Sequence, residues 1–138
     1  MNVDIENLIS DFELLDDWED RYRHLIELGR ALPEMDQAFK TPATKVNGCA
    51  SQVWIHSRVT GNGVDKKLAL QGDSDALIVK GLIAVVFTLF GPMNVSEIKN
   101  TDAVAVLARL GLKDHLTPQR SNGLASMVAR IKADAAAA

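Results

Sequence analysis

The sequence contains a single cysteine, Cys49, and its neighbours are of types that present and activate a thiol. Gly48 allows a tight turn and leaves the following side chain open to an approaching group. Lys45 supplies a positive charge that would favour the thiolate, and the Ser51 hydroxyl can donate a hydrogen bond to a thiolate or persulfide. Cys49 is therefore either a nucleophile at a loop tip or a buried, inert side chain, since free cysteines are often buried.

One cysteine excludes an internal disulfide and a self-contained iron–sulfur cluster, which needs several thiolate ligands. The histidines His24, His56 and His115 are scattered without metal-ligand spacing, so no metal site is expected. A cysteine-dependent hydrolase or transferase would need a histidine base beside the thiol. His56, seven residues after Cys49, could supply that base only if the fold brings the two together.

Three charged residues further along the chain are candidates for supporting the thiol. Arg120 could pair with a persulfide anion or with acidic residues of a partner, or it could bond carbonyl groups near residues 111–116. Asp73, Ser74 and Asp75 all offer N-cap oxygens for the next helix, so we expect the two aspartates to cap it rather than act as acid catalysts. Either aspartate would also steady the cysteine loop by a hydrogen bond if it faces that loop.

Hydrophobic spacing predicts the elements that position these residues. Helical periodicity predicts helices over residues 4–15 and about 17–32, and alternation from Val53 to Val59 predicts a strand. Gly61-Asn62-Gly63 indicates a hairpin with a return strand over 66–71, and residues around Val46 could add a third strand. Three helices follow: 76–90, one from Thr101 or Asp102 to 110–111, and one from about 121–123. The order α-α-β-β-β-α-α-α predicts an α+β domain in which a small antiparallel meander packs against helices.

Length and composition indicate one domain over residues 1–138 with a real core. The first twenty residues hold eight acidic side chains and no basic ones, which we interpret as a solvated acidic face rather than a docking patch. The absence of Lys and Arg there predicts no signal peptide, and the most apolar stretch, 76–90, is too short to span a bilayer. No basic cluster with interleaved aromatics appears. We therefore expect a cytoplasmic protein that binds neither membrane nor nucleic acid.

Four ordered segments resemble the motifs of the SufE family of sulfur acceptors. The segment KVNGCASQVW at 45–54 resembles the cysteine motif of that family. DSDALIVKGL at 73–82 resembles its helix entry after the sheet, and LTPQRSNG at 116–123 resembles its C-terminal turn. WEDRY at 18–22 also fits. The resemblance covers nearly the whole chain.

The resemblance implies a fold shared with scaffold proteins of the IscU type, although such scaffolds use several cysteines. It implies that Cys49 takes sulfur from a cysteine desulfurase of the SufS type, which it stimulates, and passes it to a SufB-containing assembly complex for iron–sulfur clusters. Pyridoxal phosphate (PLP) belongs to the desulfurase, and no cofactor is expected on this chain. Two alternatives remain: a CsdE-type paralogue working with a CsdA-type desulfurase, and a non-catalytic adaptor that binds a desulfurase.

Overall fold

The structure is a computed structural model that describes residues 5–112 and 116–138. These ranges contain six α-helices and two strands: α1 (Ile5–Glu13), α2 (Trp18–Ala31), β1 (Val53–Thr60), β2 (Lys67–Ser74), α3 (Leu77–Phe90), α4 (Val95–Asn100), α5 (Ala103–Ala108) and α6 (Pro118–Ala137). Short 3-10 turns occur at Gln37–Phe39 and Gly63–Asp65. The predicted α+β class is confirmed.

The two N-terminal helices form where local signals place them. The buried face of α1 consists of Leu8, Ile9 and Phe12, which share one side at helical spacing. The Asp17 carboxylate caps α2 by accepting a hydrogen bond from the Glu19 N–H at 3.0 Å. The helix ends at Ala31, two residues before Pro33.

The sheet is a single antiparallel hairpin, with Val53 paired to Ser74 at one end and Thr60 to Lys67 at the other. Gly61 and Gly63 in the connection both have positive φ, which explains the glycines that predicted a hairpin. The return strand reaches Ser74, beyond the predicted end. The predicted third strand around Val46 is wrong, because only an isolated bridge between Lys45 and Trp54 forms there.

Helix α3 lies at the centre of the core, with nine of its residues buried. Its close crossing with α2 depends on glycine, since a Cβ built on Gly29 would lie 2.9 Å from the Gly81 nitrogen. The same helix packs on β2 and α6. The core therefore fixes the hairpin, which follows Cys49 in the chain, and α6 relative to each other.

The prediction that Asp73 or Asp75 caps α3 is wrong. The N-cap residue is Ala76, which makes no side-chain cap bond; its N–H donates to the Ser74 hydroxyl at 3.2 Å. Both aspartates make other contacts, described below.

The C-terminal helices differ from the prediction in number and in two boundaries. A short helix, α4, precedes the expected ones and begins with a capping box between Asn94 and Glu97. Asp102, one of the two predicted starting residues, caps α5, and the helix ends at Ala108 rather than at the predicted 110–111. Helix α6 starts at Pro118, several residues earlier than predicted, because Thr117 caps it and proline fits a first helical turn.

From Glu6 onward, the acidic residues of the N-terminal segment are largely exposed, and Glu6 forms a two-pronged ion pair with Arg109 at 2.9 and 3.0 Å. Asp4 lies outside the described residues. Across the described ranges, every helix is too short or too polar to cross a membrane.

Candidate functional site

Cys49 lies in a loop of residues 47–52, here called the cysteine loop, that leads into β1. Residues 43–46, here called the stem, precede the loop and pair with β1 after it. The Val46 N–H donates to the Val53 carbonyl at 2.8 Å, and the Ile55 N–H donates to the Thr44 carbonyl at 2.9 Å. The loop thus leaves and rejoins the structure beside one strand.

The turn at Gly48 requires glycine for two reasons. Its φ is +94°, a left-handed conformation that L side chains rarely adopt. A Cβ built there would lie only 2.5 Å from the Ser126 hydroxyl on α6. The predicted tight turn is confirmed, and it seats the cysteine loop directly on α6.

The Cys49 side chain is half-buried against α6. Its thiol donates a hydrogen bond to the Gly123 carbonyl oxygen at 3.7 Å, a normal length for sulfur. Burial raises the pKa of the Cys49 thiol above its ordinary value. Burial is the cause of that shift, so the expected lowering of the pKa by Lys45, whose side chain is exposed, is not found.

A cavity of about 20 Å³ adjoins the thiol, and we call it the cysteine cavity. It brings together three residues singled out in the sequence, Cys49, Ser51 and Arg120. Its other lining residues come from the cysteine loop, α3 and α6: Ala50, Val79, Leu82, Gln119, Gly123 and Met127. A space of this size holds about one small group, such as a water molecule.

Asp75 fastens the far end of the cysteine loop to the entry of α3. Its carboxylate accepts a hydrogen bond from the Gln52 N–H at 3.1 Å, and its own N–H donates to the Gln52 carbonyl at 3.4 Å. Asp75 therefore steadies the loop, as the sequence allowed. Its carboxylate is exposed and does not line the cysteine cavity.

Asp73 belongs to a separate cluster outside the cysteine cavity. It forms ion pairs with Lys40 at 2.6 Å and Lys80 at 3.4 Å, and Lys40 also lies over the Trp54 ring. Burial alone would raise the pKa of Asp73, but the hydrogen bonds from Lys40 and the Ser74 N–H, together with the Lys80 charge, lower it overall. This cluster supports the strand that follows the loop.

The histidines that the structure describes do not line the cysteine cavity. His56 stacks on the Phe39 ring at 4.2 Å between centroids, and His24 lies beside Phe12 at 5.1 Å. His115 falls outside the described residues. Neither His24 nor His56 is placed to act as a base for Cys49.

Residue-by-residue interpretation of the sequence missed two contributions from α6. Gly123 lies within the C-terminal motif, but nothing local indicated that its backbone contacts the thiol. Arg130 donates to the carbonyls of Ala43 and Lys45 in the stem, although it lies 87 residues from the first. No spacing rule links residues so far apart in sequence.

The fold and the site define an α+β domain built around one cysteine in a loop held between a hairpin and a long C-terminal helix. The model of the Fe-S metabolism associated domain, SufE, matches residues 6–135, so the chain belongs to the SufE family. Family membership supports a role in sulfur transfer with a cysteine desulfurase.

Named relatives agree with this assignment. An uncharacterized SufE-like protein of Rhizobium meliloti is 49% identical over 131 residues, covering 95% of this chain and 94% of the relative. Another from Rhizobium etli is 48% identical over 131 residues, covering 95% and 88%. A solution structure of a hypothetical protein from Thermus thermophilus has a TM-score of 0.76 at 19% identity, covering 96% of this chain and 93% of that one. That likeness concerns the fold.

Proposed function

We propose that Cys49 is the sulfur acceptor of this protein and takes persulfide sulfur from a PLP-dependent cysteine desulfurase. The Cys49 thiolate attacks the terminal sulfur of the donor's cysteine persulfide. A bond forms between that sulfur and the Cys49 Sγ, the donor's S–S bond breaks, and the donor cysteine leaves as a thiolate. The transferred sulfur keeps its oxidation state, so the step needs no external oxidant or reductant.

The observation that carries the proposal is the position of the Cys49 thiol in a small cavity shared with Ser51 and Arg120. The guanidinium of Arg120 is permanently charged and suits a persulfide anion, and a persulfide ionises more readily than a thiol. The Ser51 hydroxyl can donate to the same anion. The cavity thus combines the nucleophile with two groups that favour its sulfur-loaded, anionic form.

In the free protein, burial keeps the Cys49 thiol in a weakly reactive form. A thiol with a raised pKa that donates to the Gly123 carbonyl is a poor nucleophile, because the thiolate is the reactive species. Acceptance therefore requires the cysteine loop to move toward the donor, where water and the partner's groups lower the pKa. The free protein is protected from adventitious oxidation by the same burial.

Stimulation of the desulfurase follows from the same chemistry. A desulfurase whose cysteine carries a persulfide cannot begin another turnover until that sulfur leaves, so a fast acceptor raises its rate. We propose that Cys49 then delivers sulfur to a SufB-containing complex for iron–sulfur cluster assembly. The alternatives are a CsdE-type route fed by a CsdA-type desulfurase and a non-catalytic adaptor.

Intact-mass spectrometry tests the proposal directly. The protein is mixed with a SufS-type or a CsdA-type desulfurase and free cysteine, without reductant. We expect a gain of one or more sulfur atoms that is absent in Cys49→Ser. The preferred desulfurase distinguishes the two branches.

A second measurement separates carrier from adaptor. Alanine or sulfide release by the desulfurase is followed with the native chain and with Cys49→Ser. A carrier loses its stimulation in Cys49→Ser, whereas an adaptor keeps it. Absence of added sulfur with both desulfurases would refute the carrier function.

A further inference from the structure

The Arg130 side chain on α6 forms hydrogen bonds with the stem of the cysteine loop. One terminal nitrogen of its guanidinium donates to the Ala43 carbonyl at 2.8 Å, and the other lies 3.4 Å from the Lys45 carbonyl. Both carbonyls belong to the stem, immediately before the cysteine loop. Arg130 therefore reaches the backbone that carries Cys49 without touching the thiol.

Arg130 is itself held in place by Asp134. Its Nε lies 3.2 and 3.3 Å from the two carboxylate oxygens, and both side chains are about three-quarters buried, with 25% and 24% exposure. Asp134 also accepts a hydrogen bond from the Ser57 hydroxyl on β1 at 2.6 Å. The chain of contacts joins the stem, α6 and the strand that follows the loop.

The geometry requires an arginine. A guanidinium has donors fixed in a planar fork, so it can meet a carboxylate on one edge and two carbonyls on the others. A lysine ammonium can pair with Asp134 or with a stem carbonyl, but it cannot span all of these acceptors. The contact is thus specific in shape as well as charge.

The position of Arg130 on α6 relates it to the cysteine cavity. It follows Gly123 by seven residues, which places both on one face of the helix about 10 Å apart along its axis. Gly123 contacts the thiol, and Arg130 contacts the stem. The same face of α6 therefore contacts the cysteine loop at Gly123 and the stem at Arg130.

We propose that Arg130, oriented by Asp134 and Ser57, is a positioning residue that keeps the stem docked on α6 while the cysteine loop opens and closes. Movement is confined to residues 47–52 because the preceding backbone is tied to the helix. The closed loop returns Cys49 to the Gly123 carbonyl after each transfer. This inference rests on the proposed sulfur-acceptor function but makes its own prediction about the free thiol.

The test measures alkylation of Cys49 by a small and a bulky reagent in native protein and in Arg130→Lys, Arg130→Ala and Ser57→Ala. We expect rates to rise about fivefold in the two Arg130 variants and less in Ser57→Ala. The pH midpoint of alkylation should fall toward that of an ordinary thiol, because a loosened loop exposes Cys49 to water. The amide of Val46, bonded to Val53, should also exchange its hydrogen faster.

Lys132→Ala is the matched control, because Lys132 also tethers α6 to backbone carbonyls, those of Lys99 and Thr101 near α4. It should lower the melting temperature and leave the alkylation rate and its pH midpoint unchanged. If the Arg130 variants behave like Lys132→Ala in melting temperature, alkylation rate and pH midpoint, Arg130 is only structural and the inference is wrong. If Arg130→Ala does not fold, Arg130→Lys and Ser57→Ala decide by the same criteria.

These measurements need no desulfurase, so their outcome does not depend on whether the proposed function is correct. Altered thiol reactivity in a chain that never acquires sulfur would refute the carrier and leave the positioning contact standing. Normal reactivity in Arg130 variants of a chain that accepts sulfur would refute the positioning role alone.

Discussion

The Cys49 sulfur lies against Gly123, within contact distance of the point where a side chain would begin. The thiol donates to the Gly123 carbonyl at 3.7 Å, and a Cβ built on Gly123 would lie 3.4 Å from Sγ. Glycine is unfavourable within a helix, yet Gly123 lies buried in the second turn of α6. The Cys49 thiol therefore packs against a helical position that carries no side chain.

Gly123→Ala should raise the stability of the protein and shorten the lifetime of a persulfide on Cys49. A contact of 3.4 Å is ordinary, so the unloaded thiol should tolerate the methyl group, and α6 should gain about 0.5–1 kcal/mol from alanine. The methyl group consumes space beside the thiol in a cavity of about 20 Å³, so the closed loop should no longer accommodate an added sulfur. We expect chemical denaturation to show a more stable protein whose persulfide, followed by intact mass, is lost severalfold faster to a small thiol.

Asn122→Ala is the matched control, since Asn122 is the exposed neighbour of Gly123 on the same helix. It should raise helix stability by a smaller amount without changing the lifetime of the persulfide. A Gly123→Ala protein that holds its sulfur as long as the native chain would show that the cavity does not shelter the added atom.

The raised pKa of Cys49 predicts a specific dependence of alkylation on pH. Burial disfavours the thiolate, so the midpoint for the native protein should lie above that of the same chain unfolded in urea. A midpoint at or below the unfolded value would show that Arg120 or another charge outweighs burial.

The same shift predicts how stability depends on pH. Below the ordinary pKa of a cysteine, near 8.5, the folded and unfolded chains both hold the proton, so Cys49 does not make stability depend on pH. Above it the unfolded chain releases the proton first, so native stability should fall as pH rises toward the folded pKa. Cys49→Ser, measured in parallel, should lack this part of the decline in stability. If the stability of the two proteins falls equally with pH, the pKa of Cys49 is not raised by folding.

The parts of the fold that the sequence predicted well depend on local chemistry. The ends of α2 follow from the Asp17 cap and from Pro33, and α3 follows from a long apolar run bounded by Gly91-Pro92. The missed helix α4 had a local signal too, the capping box of Asn94 and Glu97. The third strand failed because a few extended residues formed a bridge rather than a ladder.

The candidate site was predictable only around the cysteine itself. The lone thiol and the glycine before it are adjacent in sequence, so their chemistry is visible without a fold. The partner of the thiol, Gly123, lies 74 residues away. The role of Asp75 depended on which way its carboxylate points, and only tertiary packing decides that.

Asp75→Ala should loosen the cysteine loop without disturbing the cavity. The bond from the Gln52 N–H to the Asp75 carboxylate is exposed, so its loss should cost about 1 kcal/mol or less in stability. We expect Cys49 to alkylate about threefold faster, because the far end of the loop loses one of its two bonds to Asp75. Asp75→Asn keeps an oxygen acceptor at the same place and should stay near the native rate. Equal rates for the Ala and Asn variants would show that this bond does not restrain the loop.

Arg120 should act on the charge of whatever approaches Cys49. Iodoacetate is anionic and iodoacetamide is neutral, so the ratio of their rates with Cys49 reports the local potential. Because Arg120 lines the cysteine cavity, its charge should raise that ratio, and Arg120→Ala should lower it about threefold at low ionic strength, with the difference shrinking in high salt. Arg120→Lys keeps a positive charge and should preserve most of the ratio, while Arg30→Ala, which removes an arginine that pairs with Glu27 on α2, should leave it unchanged.

The same Arg120→Ala protein should accept sulfur from a desulfurase more slowly than native, since the anion it stabilises is the loaded form. A ratio that does not respond to Arg120→Ala would exclude an electrostatic role for this residue at the thiol.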